Sequence, residues 1–120
     1  MAFRLEEGET LLREDGGFWI KSTLRVYIGR LQLTDRRLVF VENANAIFGL
    51  LGRLFNLGGK PRVVIERGRL QRVERGSHGR AKNVFTAKTE DAEYKFAMDS
   101  SYDDWAQALL EWGSGSKRYD

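Results

Sequence analysis

Outside one segment, Asn43 to Lys60, every apolar run between Glu9 and Asp99 is strand length and is closed by turn residues. The runs are "ETLLRED", "FWIKSTLRVYIGRLQLT", "RLVFVE", "RVVIE", "GRLQRVERG", "NVFTAKT" and "AEYKFAMD". Such spacing predicts about seven strands, and their short connections make them antiparallel. Gly16-Gly17 reads as the first turn, and Gly29 as a bulge or bend inside the long second run. Leu31 and Leu33 alternate with polar residues, as on a half-buried strand. Leu38 to Val41 leave neither face polar, so that strand is central or covered on both sides. Thr34-Asp35-Arg36 turns the chain between these two runs, and Tyr94, Phe96 and Met98 share one face of the last one.

The segment after Met98 changes period. Ser101 with Asp104 has the form of a capping box, and Tyr102, Trp105, Leu109 and Trp112 follow at helical spacing. Asp103 and Asp104 occupy the first turn, where the helix dipole favours negative charge. This helix is expected to end near Gly113, leaving 114–120 as a flexible tail after a single domain over 1–113. Seven strands and one terminal helix with two tryptophans describe an α+β, mainly β architecture. It is a split barrel of antiparallel strands whose open side the C-terminal helix plugs.

A chain of 120 residues can bury a core without disulfides or metals, and it has no cysteine for either. No apolar run reaches the roughly 18 residues that span a bilayer. The start "MAFRLEEGET" is acidic and lacks an apolar signal core, so a cytoplasmic location is expected, including a peripheral one at the membrane. Charge is uneven: three cations stand against five acids in 1–24, fourteen against four in 25–88, and three against eight in 89–120. A basic middle suggests an anionic partner for one face, unless folding brings opposite charges together and cancels the field.

Three stretches, taken in order, resemble the GRAM domain and the bacterial PH-like domains, which share the pleckstrin-homology fold. They are "EEGETLL" at Glu6–Leu12, "GRLQLTDRRLVFVE" at Gly29–Glu42 and "GRLQRVERG" at Gly68–Gly76, followed by the last strand and helix "AEYKFAMDSSYDDWAQALLEW". Thr34-Asp35-Arg36-Arg37-Leu38 is the most specific part. The resemblance implies a binding module with no catalytic role and no cofactor. It also points to phosphoinositides and membranes, the ligands associated with eukaryotic relatives. Phosphoinositide-binding PH domains place a Lys/Arg cluster in the first turn. Here "EDGGF" carries Glu14 and Asp15, with Lys21 and Arg25 nearby.

Asn43–Lys60, "NANAIFGLLGRLFNLGGK", is longer and more apolar than a strand connection needs. Ile47, Leu50, Leu51, Leu54 and Leu57 fall at helical spacing and Phe48 and Phe55 widen the stripe, so a short, glycine-interrupted helix is expected near 45–57. Burying seven such side chains is worth roughly 10 to 20 kcal/mol as an upper bound, more than the net stability of a typical domain, so something covers them. The cover is the domain's own sheet, a second copy in a homo-oligomer, or an anionic lipid surface or protein partner. For docking on a membrane or partner, the candidate contacts are Phe48, Leu50, Leu51, Leu54 and Phe55, with Arg53, Lys60 and Arg62 meeting anionic headgroups.

No metal-ligand set or nucleophile–base pair is evident. The single histidine, His78, lies in the polar turn "RGSHGRAK" and reads as a solvated loop residue. Arg62, Arg67, Arg69, Arg72, Arg75, Arg80 and Lys82 could track a nucleic-acid backbone with Phe40 or Phe85 as a stacking platform. Because they alternate with Leu70, Val73 and Glu74, this reading ranks below the solvated face of a sheet.

Overall fold

The computed structural model describes residues 5–43 and 60–117, without the side chains of Lys60 and 114–117. Among these residues seven strands precede one helix: β1 (Leu11–Ser22), β2 (Arg25–Thr34), β3 (Arg37–Glu42), β4 (Lys60–Glu66), β5 (Arg72–Arg75), β6 (Val84–Lys88), β7 (Glu93–Met98) and α1 (Tyr102–Lys117). All neighbours pair antiparallel, in the order β4-β3-β2-β1-β7-β6-β5. Among the described residues β4 and β5 do not pair with each other, which leaves the split that the sequence pattern predicts. The expected helix near 45–57 lies outside the described residues.

Two glycines turn one strand into the corner of both halves. β1 pairs with β2 almost throughout, and over Gly17–Ile20 it also pairs with β7. Gly17 stands directly opposite Gly29. A Cβ on Gly29 would lie 2.1 Å from the Val41 carbonyl oxygen, and one on Gly17 would lie 2.5 Å from that of Ala97. The reading of Gly16-Gly17 as a turn is therefore corrected, and of the two readings of Gly29 the bulge is excluded, since its register with β1 and β3 is unbroken. Both glycines sit in paired strand, and what they supply is close backbone approach. The true first turn is Ser22 to Arg25, where the Arg25 N–H donates to Ser22 Oγ at 3.2 Å.

The core forms between the two halves. Leu31, Leu33, Leu38, Phe40, Val63 and Ile65 meet Phe85, Phe96 and Met98, and Trp105, Leu109 and Trp112 of α1 close the remaining side. Rings follow one another from Tyr27 through Trp19, Phe40, Phe96 and Phe85 to Trp105, with centroids 5.2 to 6.4 Å apart. Such offset pairs add to area burial and stiffen the sequence of contacts. As the uniform apolarity of β3 requires, Val39 and Val41 are buried as well as Leu38 and Phe40.

The helix is held by its two indoles. Trp105 Nε1–H donates to Asp15 Oδ2 at 3.0 Å, and Trp112 Nε1–H to the Thr34 carbonyl at 2.7 Å. Ser101 Oγ accepts from the Asp104 N–H at 3.2 Å, the cap that the sequence announces. The helix continues to Lys117, four residues past its expected end. Gly113 thus lies inside it: glycine lowers helix propensity but does not stop a helix whose backbone bonds can continue.

The same turn that receives Trp112 receives the N-terminal segment. Glu9, whose side chain is fully buried, accepts from Arg37 Nε at 2.8 Å on Oε2 and from Arg37 Nη2 at 2.9 Å on Oε1, and Thr34 Oγ1 also donates to Oε2, at 2.6 Å. The Arg36 and Arg37 N–H groups donate to Thr34 Oγ1. Chiefly because of the Arg37 hydrogen bond, against the cost of burial, the Glu9 carboxyl falls from its ordinary value of 4.5 to about 2.

Two expectations follow. Gly29→Ala should destabilise the domain by about 1 to 3 kcal/mol, or prevent folding, because the new methyl overlaps a carbonyl. Gly113→Ala, with open space around it, should stabilise by up to about 1 kcal/mol; chemical denaturation of both variants measures this. A lowered folded pKa stabilises only while the carboxylate is ionised. Glu9 thus contributes fully above 4.5 and loses its contribution of roughly 3 kcal/mol as pH falls from there through about 2. Denaturation across that window should show the gap between the wild type and Glu9→Gln closing; a constant gap would refute this account.

Candidate functional surface at the rim

Past Gly29, whose partner Glu42 ends β3, β2 pairs only with β1, while β1 stays paired with β7 as far as Ile20. Phe18–Ile28, Trp19–Tyr27, Ile20–Val26 and Ser22–Arg25 pair beyond the last β3 residue. Only the tip, Lys21 to Leu24, therefore extends past the pairing with both β3 and β7, and the Asn43 N–H donates to the Ile28 carbonyl at 2.9 Å. Chain 43–60 consequently leaves and returns at this same end, since Glu42 pairs with Lys60.

At the hairpin tip Leu24 is 93% exposed, and Lys21 and Arg25 on either side are exposed too. On the outer face Phe18, Val26 and Ile28 are each more than 40% exposed. Arg62 reaches the same rim: its Nε lies 2.6 Å from Glu42 Oε1, and its guanidinium sits 4.9 Å from the centroid of Tyr27, which stacks on Trp19. Of the eight residues singled out from sequence, Arg62 is described here in full and Lys60 through its backbone. Phe48, Leu50, Leu51, Arg53, Leu54 and Phe55 lie outside the described residues.

Beside the hairpin a pocket of about 270 Å³ is lined by Lys21, Ser22, Thr23, His78, Glu93 and Lys95. Lys95 Nζ donates to the Ser77 carbonyl at 3.0 Å, which ties the β5–β6 connection to β7. Two amines, an imidazole and hydroxyls against a single carboxylate suit an anion. His78 is half-buried here, more enclosed than a solvated loop residue. Sequence reasoning passed over this hairpin because the first turn was placed at Gly16-Gly17. The available signal was a leucine between Thr23 and Arg25, in a stretch otherwise polar.

The acids of the supposed first turn have other work. Glu14 accepts from Arg30 at 3.1 Å and Gln32 at 2.6 Å, and these bonds hold its carboxyl below the usual range. Burial pulls Asp15 up, but hydrogen bonds from Trp105 and Ser100 outweigh it and leave that carboxyl low. Both acids belong to the barrel wall, so they do not oppose an anion at the rim.

Much of the basic middle is neutralised. Arg30, Arg36, Arg37, Arg69, Arg75 and Lys88 pair with Glu14, Glu6, Glu9, Asp91, Asp103 and Glu93, acids from the two ends of the chain. Arg72 pairs with Glu74 at 2.6 Å. Phe40 and Phe85 are completely buried, so neither can act as a stacking platform for bases. Among the described residues Lys21, Arg25, Arg80 and Lys82 join no ion pair. No described helix is long and apolar enough to cross a membrane.

No protein-family model and no curated protein sequence matches the chain. Solved structures do. The C-terminal domain of an unknown protein from Leishmania infantum superposes with TM-score 0.63 at 16% identity, over 88% of this chain and 86% of that one. The N-terminal PH domain of human ARAP2 gives 0.65 at 10% identity, over 90% and 84%. The linker and DH/PH domains of p115-RhoGEF give 0.67 at 12% identity over 94% of this chain, which spans only 31% of that longer one. The chain therefore has a PH-like fold, a seven-stranded antiparallel open sheet with one C-terminal helix.

Proposed function

We propose that this domain is a non-catalytic binding module of GRAM/PH-like type that docks on an anionic membrane surface through its hairpin rim and the neighbouring 43–60 segment. The observation that carries the reading is Leu24, 93% exposed between two exposed cations at a projecting tip. A single apolar side chain displayed this way gains by entering a lipid interface, while Lys21 and Arg25 stay at headgroup level.

Magnitude shows why the tip needs help. Burying Leu24 contributes about 2 kcal/mol and each cation about 1 kcal/mol at a charged leaflet, which together correspond to about millimolar binding. Phe48, Leu51, Leu54 and Phe55, on the connection that leaves the same rim, supply the remaining apolar area, with Arg53, Lys60 and Arg62 beside them. The anion-suited pocket at Lys21 and Lys95 would take a headgroup phosphate.

A second reading rests on the exposed outer face of Phe18, Val26 and Ile28. A second copy could cover it and make a homo-oligomeric scaffold in which 43–60 is internal. Sedimentation of the purified protein distinguishes the two readings.

In flotation with anionic vesicles the wild type should rise with the lipid and lose part of its binding at moderate salt. It should not rise with neutral vesicles. Leu24→Asp should weaken flotation at least about tenfold, as should the Leu51→Asp/Phe55→Asp double variant, each with an unchanged melting temperature. A wild type that stays at the bottom, or a Leu24→Asp variant that floats equally well, removes the membrane reading.

A further inference from the structure

At the opposite end of β1 from the rim, a groove of about 330 Å³ runs between the start of that strand and α1. Its lining includes Leu12, Arg13, Leu33, Arg67, Ala108 and Trp112. Two guanidiniums bracket it. Arg13 lies 4.9 Å from the centroid of Trp105, and Arg67 lies 5.9 Å from that of Trp112. Ala108, one turn on from Trp105, is the small residue between them, and its size leaves the groove open.

The two arginines differ in how they are satisfied. Arg67 Nε donates to the Trp112 carbonyl and Nη1 to that of Asp35, both at 3.0 Å, so the residue is locked in place by neutral acceptors. Arg13 joins no ion pair among the described residues, and its Nε is buried without a hydrogen-bond partner. Elsewhere the protein's described cations are mostly paired. Here a partly buried guanidinium shares a groove with a second positive charge, an arrangement that an added carboxylate would relieve. Among the described residues the one acid lining the groove, Glu111, is engaged by Gln107 Nε2 at 3.3 Å and pairs with neither arginine.

Apolar surface adjoins the charges. The β1–β2 register shifts between Leu11 and Arg13, and a bulge of this kind re-aims the side chains beside it. Leu12 is 54% exposed at this point and Leu11 39%. We propose that the groove is a second binding site, for an acidic peptide segment of a partner protein. A side-chain carboxylate of the peptide would take the Arg13–Arg67 position, and a flanking apolar side chain would pack on Leu12 and Ala108. The site is independent of the membrane reading and lies far from the rim, so the domain could hold a partner while its other end is engaged.

The three tryptophans provide the assay, because Trp105 and Trp112 line or underlie the groove and Trp19 belongs to the rim. Nitrogen-15-labelled protein is titrated with the blocked peptide Ac-Leu-Glu-Leu-Asp-Leu-NH2 and with its uncharged analogue Ac-Leu-Gln-Leu-Asn-Leu-NH2. The acidic peptide should shift the Trp105 and Trp112 indole N–H signals saturably and leave Trp19 in place. The analogue should bind at least about tenfold more weakly. Arg13→Gln should reduce binding of the acidic peptide to the level of the analogue. Ala108→Leu, which fills the groove without touching either charge, should abolish binding while the Trp19 signal and the melting temperature stay unchanged. The proposal is overturned by no saturable shift up to about 10 mM peptide, by equal binding of the two peptides, or by wild-type binding in Arg13→Gln. Should Arg13→Gln fail to fold, wild-type binding in Ala108→Leu overturns it.

Discussion

The barrel depends on two absent methyl groups. Because Gly17 and Gly29 carry no Cβ, β1 and β2 can press against the carbonyls of Ala97 and Val41. That approach lets one strand serve β2 along its length and β7 over four residues. Without the shared strand the two halves would be separate small sheets, each with an uncovered apolar face and open edges. The corner also decides where function can lie. It lets β1 and β2 run on past the end of β3, with β1 paired to β7 as far as Ile20, and the tip beyond makes the projecting rim.

Thr34 has a comparable role at the other end. Its hydroxyl joins Glu9 to the β2–β3 turn, and its carbonyl receives the indole of Trp112. One residue thereby fixes the N-terminal segment, the turn and the helix. A fully buried carboxylate such as Glu9 would be costly alone. It is tolerated because a two-pronged guanidinium and a hydroxyl satisfy it. The tryptophans carry more buried area than any other residue of α1 and need a partner for each N–H. Asp15 and the Thr34 carbonyl meet that need, and so set how the helix lies across the split.

Charge follows the fold, not the order of residues. The excess of cations in 25–88 is largely offset by acids from both ends of the chain, which antiparallel pairing brings alongside. Most of these pairs are exposed and each is worth little. Their consequence is for recognition, since they cancel much of the long-range field and leave a few positions with uncompensated charge. Lys21 and Arg25 stand at one end of β1 and Arg13 at the other, each near exposed leucine.

The number of strands, their antiparallel arrangement, the doubly covered β3, the face shared by Tyr94, Phe96 and Met98 and the capped helix were all legible in the sequence. Each rests on periodicity or on a local hydrogen bond, which neighbouring residues determine among themselves. Gly17 was misread as part of a turn, and Gly29 was read only as a bulge or a bend, because a glycine's identity does not say whether its dihedrals or its missing Cβ is being used. That error displaced the first turn, hid Leu24, and assigned Glu14 and Asp15 to the wrong surface. Phe40 and Phe85 looked available for stacking, and only packing of the two halves put them in the core. Burial of Glu9, the pairing of terminal acids with central arginines and the groove between Arg13 and Arg67 join residues 16 or more positions apart. Such contacts depend on how the strands fold across the corner, so the tertiary structure alone decided them.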